Sequence, residues 1–196
     1  DRHTNGGMSE LFRVVLLVLL CALLYLPGTF FRDLWTPDEP RYAEVAREMV
    51  LSGQWILPHL NFEVYDDKPP LHFWLIALSA HLLGGFTTFA VVLPSFLAGT
   101  GTVLLTYMLG TRLFKNMMTG FISAAVLATS AEYLALSSMG RMDAPLTFFE
   151  TVSIYSIWQW HLKQKAAYLV PFYLGMALAV LTKGPVALLP LLVAIV

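Results

Sequence analysis

Three long stretches of this 196-residue chain hold no charged residue: 14–31, 86–111 and 166–182. That pattern constrains the fold more than any other feature. A bilayer core about 30 Å thick is crossed by about 20 apolar residues in an α-helix. No water is available there to bond backbone groups, so a crossing segment is a helix or part of a closed barrel. Barrel strands read as alternating segments of about ten residues. The runs here are continuous, which excludes the barrel. The expected fold is therefore all-α, a polytopic transmembrane helical bundle with extracytoplasmic juxtamembrane helices. Charged residues make up 13% of the chain, about half the share in a soluble domain, and they are clustered between the apolar runs.

The runs resolve into five spans, at about 11–31, 88–111, 117–139, 145–162 and 166–183. A sixth begins near Pro185 and is still open at Val196, so the chain reads as the N-terminal part of a larger protein. Residues 1–10 form a tail, 11–196 the N-terminal part of a transmembrane domain, and 32–87 its extracytoplasmic loop. The first run is too long for a signal peptide, and Leu26-Pro27-Gly28-Thr29 lacks a small-x-small cleavage site, so it is a retained span. Cys21 is the only cysteine, which excludes an internal disulfide or a Cys-based metal site. A net charge of -1 argues against a nucleic-acid partner. The partner that the composition does demand is the lipid bilayer.

Eight of the 13 acidic residues lie in the polar stretch 32–70. Its residues Tyr42, Val45, Ala46, Met49 and Val50 follow helical spacing and predict an amphipathic helix. Thr36-Pro37 suits its start and Gly53 its end. Such a helix belongs in the membrane interface. Residues 71–83, bracketed by Pro69-Pro70 and Gly84-Gly85, predict a second juxtamembrane helix. Thirteen residues make about 20 Å of helix, too short to cross. With 71–83 held outside the bilayer, the acidic loop, Asp143 and Lys183 share one side. Arg112, Lys115, Lys163 and Lys165 share the other, as the positive-inside rule favours.

Four polar clusters punctuate the apolar sequence, and each has a plain and a chemical reading. Asp38-Glu39 within Pro37-Asp-Glu-Pro40 is either a first-turn charge cluster favoured by the helix dipole or a rigidly held acidic site. Lys68 in Asp66-Asp67-Lys68-Pro69-Pro70 either snorkels at the interface or meets a phosphate. Arg141-Met142-Asp143 is either loop polarity or an acid held ionised by its neighbour. Lys183 in Thr182-Lys183-Gly184 marks the interface or supplies a point charge for phosphate. Transfer from a phosphate-linked sugar needs a carboxylate, cations on the leaving phosphate, and an apolar groove for the carrier tail. Asp38 and Asp143 offer the first, and Arg41, Lys68 and Lys183 the second. His59, His72, His81 and His161 lack metal-ligand spacing.

The string from Leu34-Trp-Thr-Pro-Asp-Glu-Pro-Arg-Tyr42 to Met49, followed by Ser52-Gly-Gln-Trp-Ile-Leu-Pro-His-Leu60, closely resembles the bacterial aminoarabinose (undecaprenyl-phosphate) transferases. These belong to the protein mannosyltransferase-like group of GT-C glycosyltransferases. Asp67-Lys-Pro-Pro70 resembles the family's acid-Lys-Pro motif, and Leu181-Thr-Lys-Gly-Pro185 its Thr-Lys-Gly motif. The resemblance implies a multi-pass protein of the bacterial inner membrane with its active site facing the periplasm. Its substrates would be a polyprenyl-phosphate-sugar donor and a lipid or protein acceptor. It implies that Asp38 is the principal catalytic carboxylate and Asp143 a second acid. Glu39, Arg41, Tyr42, Lys68 and Lys183 become substrate-binding candidates. Asp67, where relatives often carry Glu, becomes a candidate ligand for a divalent cation; no other cofactor is implied. The competing function is a transporter or flippase of a lipid-linked substrate, which calls for ionisable groups at the bilayer midplane and broken helices in paired repeats.

Overall fold

The computed structural model describes residues 4–189, with side chains from Glu10 onward. The sixth apolar run therefore lies mostly outside the described residues. Helix α1 (Thr4–Tyr25) starts within the N-terminal tail and passes through Leu26 into a short α2 (Pro27–Phe31). Two helices of the external layer follow: α3 (Asp38–Ser52) and α4 (Leu71–Leu83). Between them a two-residue hairpin pairs β1 (His59–Leu60) with β2 (Glu63–Val64), His59 opposite Val64. The bundle proper continues with α5 (Thr88–Phe114), α6 (Met117–Thr129), α7 (Ala131–Ser138), α8 (Asp143–Lys163) and α9 (Leu169–Lys183).

The local sequence explains the helix ends. Gly53 and Gly84 close α3 and α4 in the left-handed conformation, at φ 71° and 79°. That conformation is open to glycine without a Cβ penalty. Thr87 caps α5 by accepting from Ala90 N, and Asn116 caps α6 by accepting from Met118 N.

By length and composition, Glu10–Phe31, Thr88–Phe114 and Ala166–Lys183 can each cross a bilayer. The region read as one span over 117–139 is two helices meeting at 67°, the geometry of a broken span or a re-entrant loop. The fifth expected span, α8, is 21 residues long but carries Asp143, Glu150, Gln159 and Lys163, and is less apolar than the others. Part of its polarity is turned inward: Ser153, Ser156 and Gln159 are buried, and Ser153 Oγ donates to Phe172 O at 3.1 Å. Helix α4 falls on the residues read as a juxtamembrane helix and is shorter than the spans. The protein is a multi-pass membrane protein.

Helix directions follow from the contacts. Ser95 of α5 meets Arg141, and Arg112 of α5 meets Tyr155, so α5 and α8 run parallel. Helices α6 and α9 return antiparallel to them, and α9 ends with Lys183 beside Asp143. Asp143 and Lys163 are thus about 30 Å apart along α8. The acidic cluster sits at one end of the bundle, and Arg112, Lys115, Lys163 and Lys165 at the other.

Two apolar cores hold this arrangement. One joins α1, α5, α6 and α7 through Leu17, Cys21, Val103, Tyr107, Ala124 and Tyr133. The other seats the external layer on the bundle through Tyr42, Val45, Met49, Phe73, Ile76, Val91 and Met142. Within the membrane small residues set the helix spacing. A Cβ on Gly120 would stand 2.6 Å from Tyr107 O and 2.7 Å from Thr111 N, both backbone atoms. Gly120→Val should therefore force α5 and α6 apart and cost roughly 1–3 kcal/mol. Thermal unfolding of the full-length protein in detergent should show a lowered midpoint. Gly28→Ala, with nothing within 4 Å of the new Cβ, should not change it.

Candidate active site

The external layer and the bundle are joined by one carboxylate. Glu39, 1% exposed, accepts from Arg32 Nη1 at 2.6 Å and Arg32 Nη2 at 2.8 Å. It also accepts from Trp35 N at 2.5 Å and Gly140 N at 2.7 Å. Burial alone would raise its pKa; the Arg32 hydrogen bonds and the two backbone donors outweigh burial and hold the carboxyl below its ordinary range. Arg32 itself also donates to Ser138 O at 3.1 Å.

This knot fixes Asp38, the residue before Glu39, against the junction between α7 and α8. Arg141 Nη2 lies 3.3 Å from Asp38 Oδ2, and Arg141 Nε 3.6 Å from Asp143 Oδ2. Lys183 Nζ donates to Asp143 Oδ1 at 2.5 Å. The result is a row of alternating charge, Asp38–Arg141–Asp143–Lys183, drawn from α3, the α7–α8 junction, α8 and α9. The four side chains are 28%, 42%, 22% and 32% exposed, so all are reachable from outside. Asp38 and Arg141 line a cleft of about 260 Å³ with Trp35, Thr36, Ala135 and Met139. A second, apolar groove of about 330 Å³ runs between α4, α5 and α8, lined by Leu78, Leu82, Leu97, Pro145, Phe148 and Phe149. Pro145 is in the first turn of α8, so the groove begins at the same end of the bundle as the charged row, though none of the four charged residues lines it.

The other sequence-derived candidates divide. Arg41 and Lys68 are half-buried, and neither carries an ion pair among the described residues. Arg41 is one turn beyond Asp38 on α3. Lys68 precedes α4, whose His72 reaches Gly140 O at 3.3 Å, next to Arg141. Lys68 itself is not brought into the charged row. The substrate-binding candidates Glu39 and Tyr42 are both buried, and Glu39 is also among the residues that line the cleft beside Asp38. Glu39 is buried and engaged by four donors. Tyr42 is 5% exposed, and its ring packs edge-on to His72 and Phe73. Burial, with Asp38 nearby, pushes the Tyr42 phenol up to about 12, so it stays protonated. Two contributors do not stand out in the sequence: Arg141, which reads there only as a partner of Asp143, and Arg32, which belongs to none of the four polar clusters. Their signal is faint, because a lone Arg at a helix boundary is common polarity.

The pattern of the dolichyl-phosphate-mannose-protein mannosyltransferase family matches residues 10–196. The chain belongs to that family. A relative in Pectobacterium carotovorum subsp. carotovorum, named undecaprenyl phosphate-alpha-4-amino-4-deoxy-L-arabinose arabinosyl transferase, is 35% identical over 198 residues. That match covers 93% of this chain and 35% of the relative. The crystal structure of ArnT from Cupriavidus metallidurans in the apo state is similar, with a TM-score of 0.79 and 26% identity over 93% of this chain and 35% of that one. The same protein bound to undecaprenyl phosphate matches with a TM-score of 0.77 and 26% identity over 89% and 33% of the two chains. The mannosyltransferase-family chain thus spans about a third of the length of the curated relatives it matches, and its fold is that of the GT-C membrane glycosyltransferases.

In this mannosyltransferase-family member Asp67 is exposed, and no group of three or more His, Cys, Asp or Glu is placed to hold a metal ion among the described residues. Among the described residues Asp67 is therefore a lone carboxylate, without the further ligands a divalent cation needs.

Two predictions follow from the buried polar groups. Glu39→Gln removes the charge opposite Arg32, and breaking such a pair costs roughly 3–5 kcal/mol. Denaturant unfolding of the full-length protein should show that loss. His72, fully buried, has its pKa pushed by burial down from 6.5 to about 4. Between those values the unfolded chain binds the extra proton, so stability falls as pH drops from 6.5 toward 4. Unfolding midpoints measured across that window should decline with acid, and the decline should be shallower in His72→Gln.

Proposed function

We propose that this chain is the donor-holding part of a membrane glycosyltransferase. It would transfer a sugar from a polyprenyl-phosphate carrier to an extracytoplasmic acceptor, whether lipid A, a protein or another glycan. The observation that carries this reading is the charged row Asp38–Arg141–Asp143–Lys183. The apolar groove that begins at the same end of the bundle supports it, since a lipid-linked donor needs a charged surface for its headgroup and an apolar one for its tail.

The chemistry follows from charge. A phosphate-linked sugar leaves behind a phosphate that gains negative charge as the sugar–oxygen bond breaks. Cations fixed at that point stabilise the transition state more than the ground state. Lys183, Arg41 and Lys68 are the cations assigned that role. Asp38 is the assigned catalytic carboxylate, either taking a proton from an acceptor hydroxyl or facing the positive charge that develops at the sugar carbon. An acceptor phosphate is already ionised and would need only the second of these. Asp143 holds Lys183 in place as a second acid.

The likeness to ArnT bound to undecaprenyl phosphate supports a polyprenyl-phosphate donor. The name of the Pectobacterium relative favours an amino-arabinose sugar. The basic residues Arg112, Lys115, Lys163 and Lys165 at the far end favour a bacterial inner-membrane protein with the charged row on the periplasmic side.

Cells expressing the full-length protein should carry a sugar modification, visible by mass spectrometry of lipid A and glycoproteins, that the Asp38→Asn form lacks at equal membrane abundance. Lys183→Met should lower the modification by roughly 100-fold or more, as loss of one transition-state charge contact does. Identical glycans in wild type and Asp38→Asn would refute the assignment.

A further inference from the structure

Residues 139–142 join α7 to α8, and the backbone from Ser138, the last residue of α7, to Arg141 is held by side chains from four separate places. Arg32 donates to Ser138 O at 3.1 Å. Glu39 accepts from Gly140 N at 2.7 Å. His72 Nε2 donates to Gly140 O at 3.3 Å. Ser95 Oγ donates to Arg141 O at 2.7 Å. The donors and acceptors come from the segment after α2, from α3, from α4 and from α5. Gly140 is also pressed against α5: a Cβ there would stand 2.6 Å from Val91 Cγ1 and 3.1 Å from Val91 O. Few connections between helices are fixed from so many directions, since loop groups usually find water.

The one charged side chain on this connection is Arg141. Its two contacts use different nitrogens, Nη2 toward Asp38 and Nε toward Asp143. A planar guanidinium presents those donors at a set angle, which an ammonium cannot do. Asp38 and Asp143 come from different helices; the Glu39–Gly140 bond docks their backbones, and the Arg141 guanidinium is the group that lies against both carboxylates.

We propose that Arg141 is a positioning residue, clamped through its backbone so that its guanidinium sets the placement of Asp38 relative to Asp143. This rests on the reading of the cleft as the transfer site. A shift of about 1 Å in a reacting group lowers rates on the order of 100-fold. Arg141 acts through the two acids, so its loss is expected in kcat and not in donor KM.

The test uses the full-length protein in nanodiscs, with undecaprenyl phosphate-α-4-amino-4-deoxy-L-arabinose as donor and lipid A as acceptor. Arg141→Gln should lower kcat by roughly 100-fold with donor KM within about twofold of wild type. Arg141→Lys should recover little of that, and millimolar guanidinium should raise the rate of Arg141→Ala without raising that of wild type. Full recovery in Arg141→Lys would reduce the residue to a charge and overturn the proposal. A raised donor KM at unchanged kcat would make it a substrate ligand and overturn it as well. Loss of folded protein in every variant, with no response to guanidinium, would leave a structural role alone and also overturn it. A wild type that transfers nothing would sink the reading of the site as one for amino-arabinose transfer to lipid A. A wild type that transfers while Arg141→Gln matches it would sink only the inference about Arg141.

Discussion

The arrangement of this membrane domain depends on one buried carboxylate. Glu39 ties the segment 32–39 to Gly140, 101 residues later in the chain, and so docks the external layer onto the bundle. A carboxylate taken out of water is unfavourable unless its oxygens are satisfied. Here a bidentate Arg and two backbone N–H groups satisfy them, and the charge-assisted geometry is the strong kind. The knot also explains why Asp38 is accessible while its neighbour is not. Successive residues on a helix point about 100° apart, so one acid can be buried in the seam while the next faces the cleft.

The charge count of the cleft bears on what it can receive. Asp38 and Asp143 are matched by Arg141 and Lys183, so the row is neutral by itself. Arg41, one turn beyond Asp38 on α3, carries no ion pair among the described residues; nor does Lys68, which precedes α4 and lies outside the row. On the proposed function, an incoming phosphate would meet Arg41 as a cation without a carboxylate partner, and the apolar groove at the Pro145 end of α8 would take a hydrocarbon chain. Neither surface would be selective for a lipid-linked phosphate alone; the two together would discriminate.

Much of the fold was legible in the sequence, because the bilayer makes long uncharged runs unambiguous. Helices α5 and α9, the juxtamembrane α4 and the amphipathic α3 fall where periodicity and the Gly punctuation put them. The break within 117–139 was not legible. Ser130 lacks the signature of proline or glycine, and the bend is set by tertiary contacts to α1 and α5. The convergence of Asp38, Asp143 and Lys183 followed from the sidedness argument, which turned on α4 not crossing. The burial of Glu39 and Tyr42 did not follow, since a motif shows that residues occur together and not which way each side chain faces. Tyr42 sits at a core position of the same apolar stripe that predicted α3, and the stripe outweighs the motif in deciding its burial. Arg32 and Arg141 were hidden for the opposite reason: each lies outside any periodic element, and only the fold brings its partners near.

The broken helix looks at first like support for a transporter, whose discontinuous spans carry ions at the bilayer midplane. The chemistry at the break argues otherwise. Tyr25 OH donates to Ala128 O, Ser130 Oγ to Leu127 O and Tyr133 OH to Gly99 O. These bonds use up backbone carbonyls and polar hydroxyls around the bend instead of presenting them to a ligand. Glu132, the one ionisable residue there, is exposed on the outside of the turn. What the 67° bend accomplishes is delivery. It swings α7 onto α5, where Gly99 admits Ser137 at a distance that a Cβ would forbid. From there the chain arrives at Ser138–Arg141 beneath Glu39 and His72. A straight span would carry these residues past the knot. The bend is therefore a device for placing Arg141 between two acids at the rim of the bundle, and the charged groups gather at that rim and not at the break.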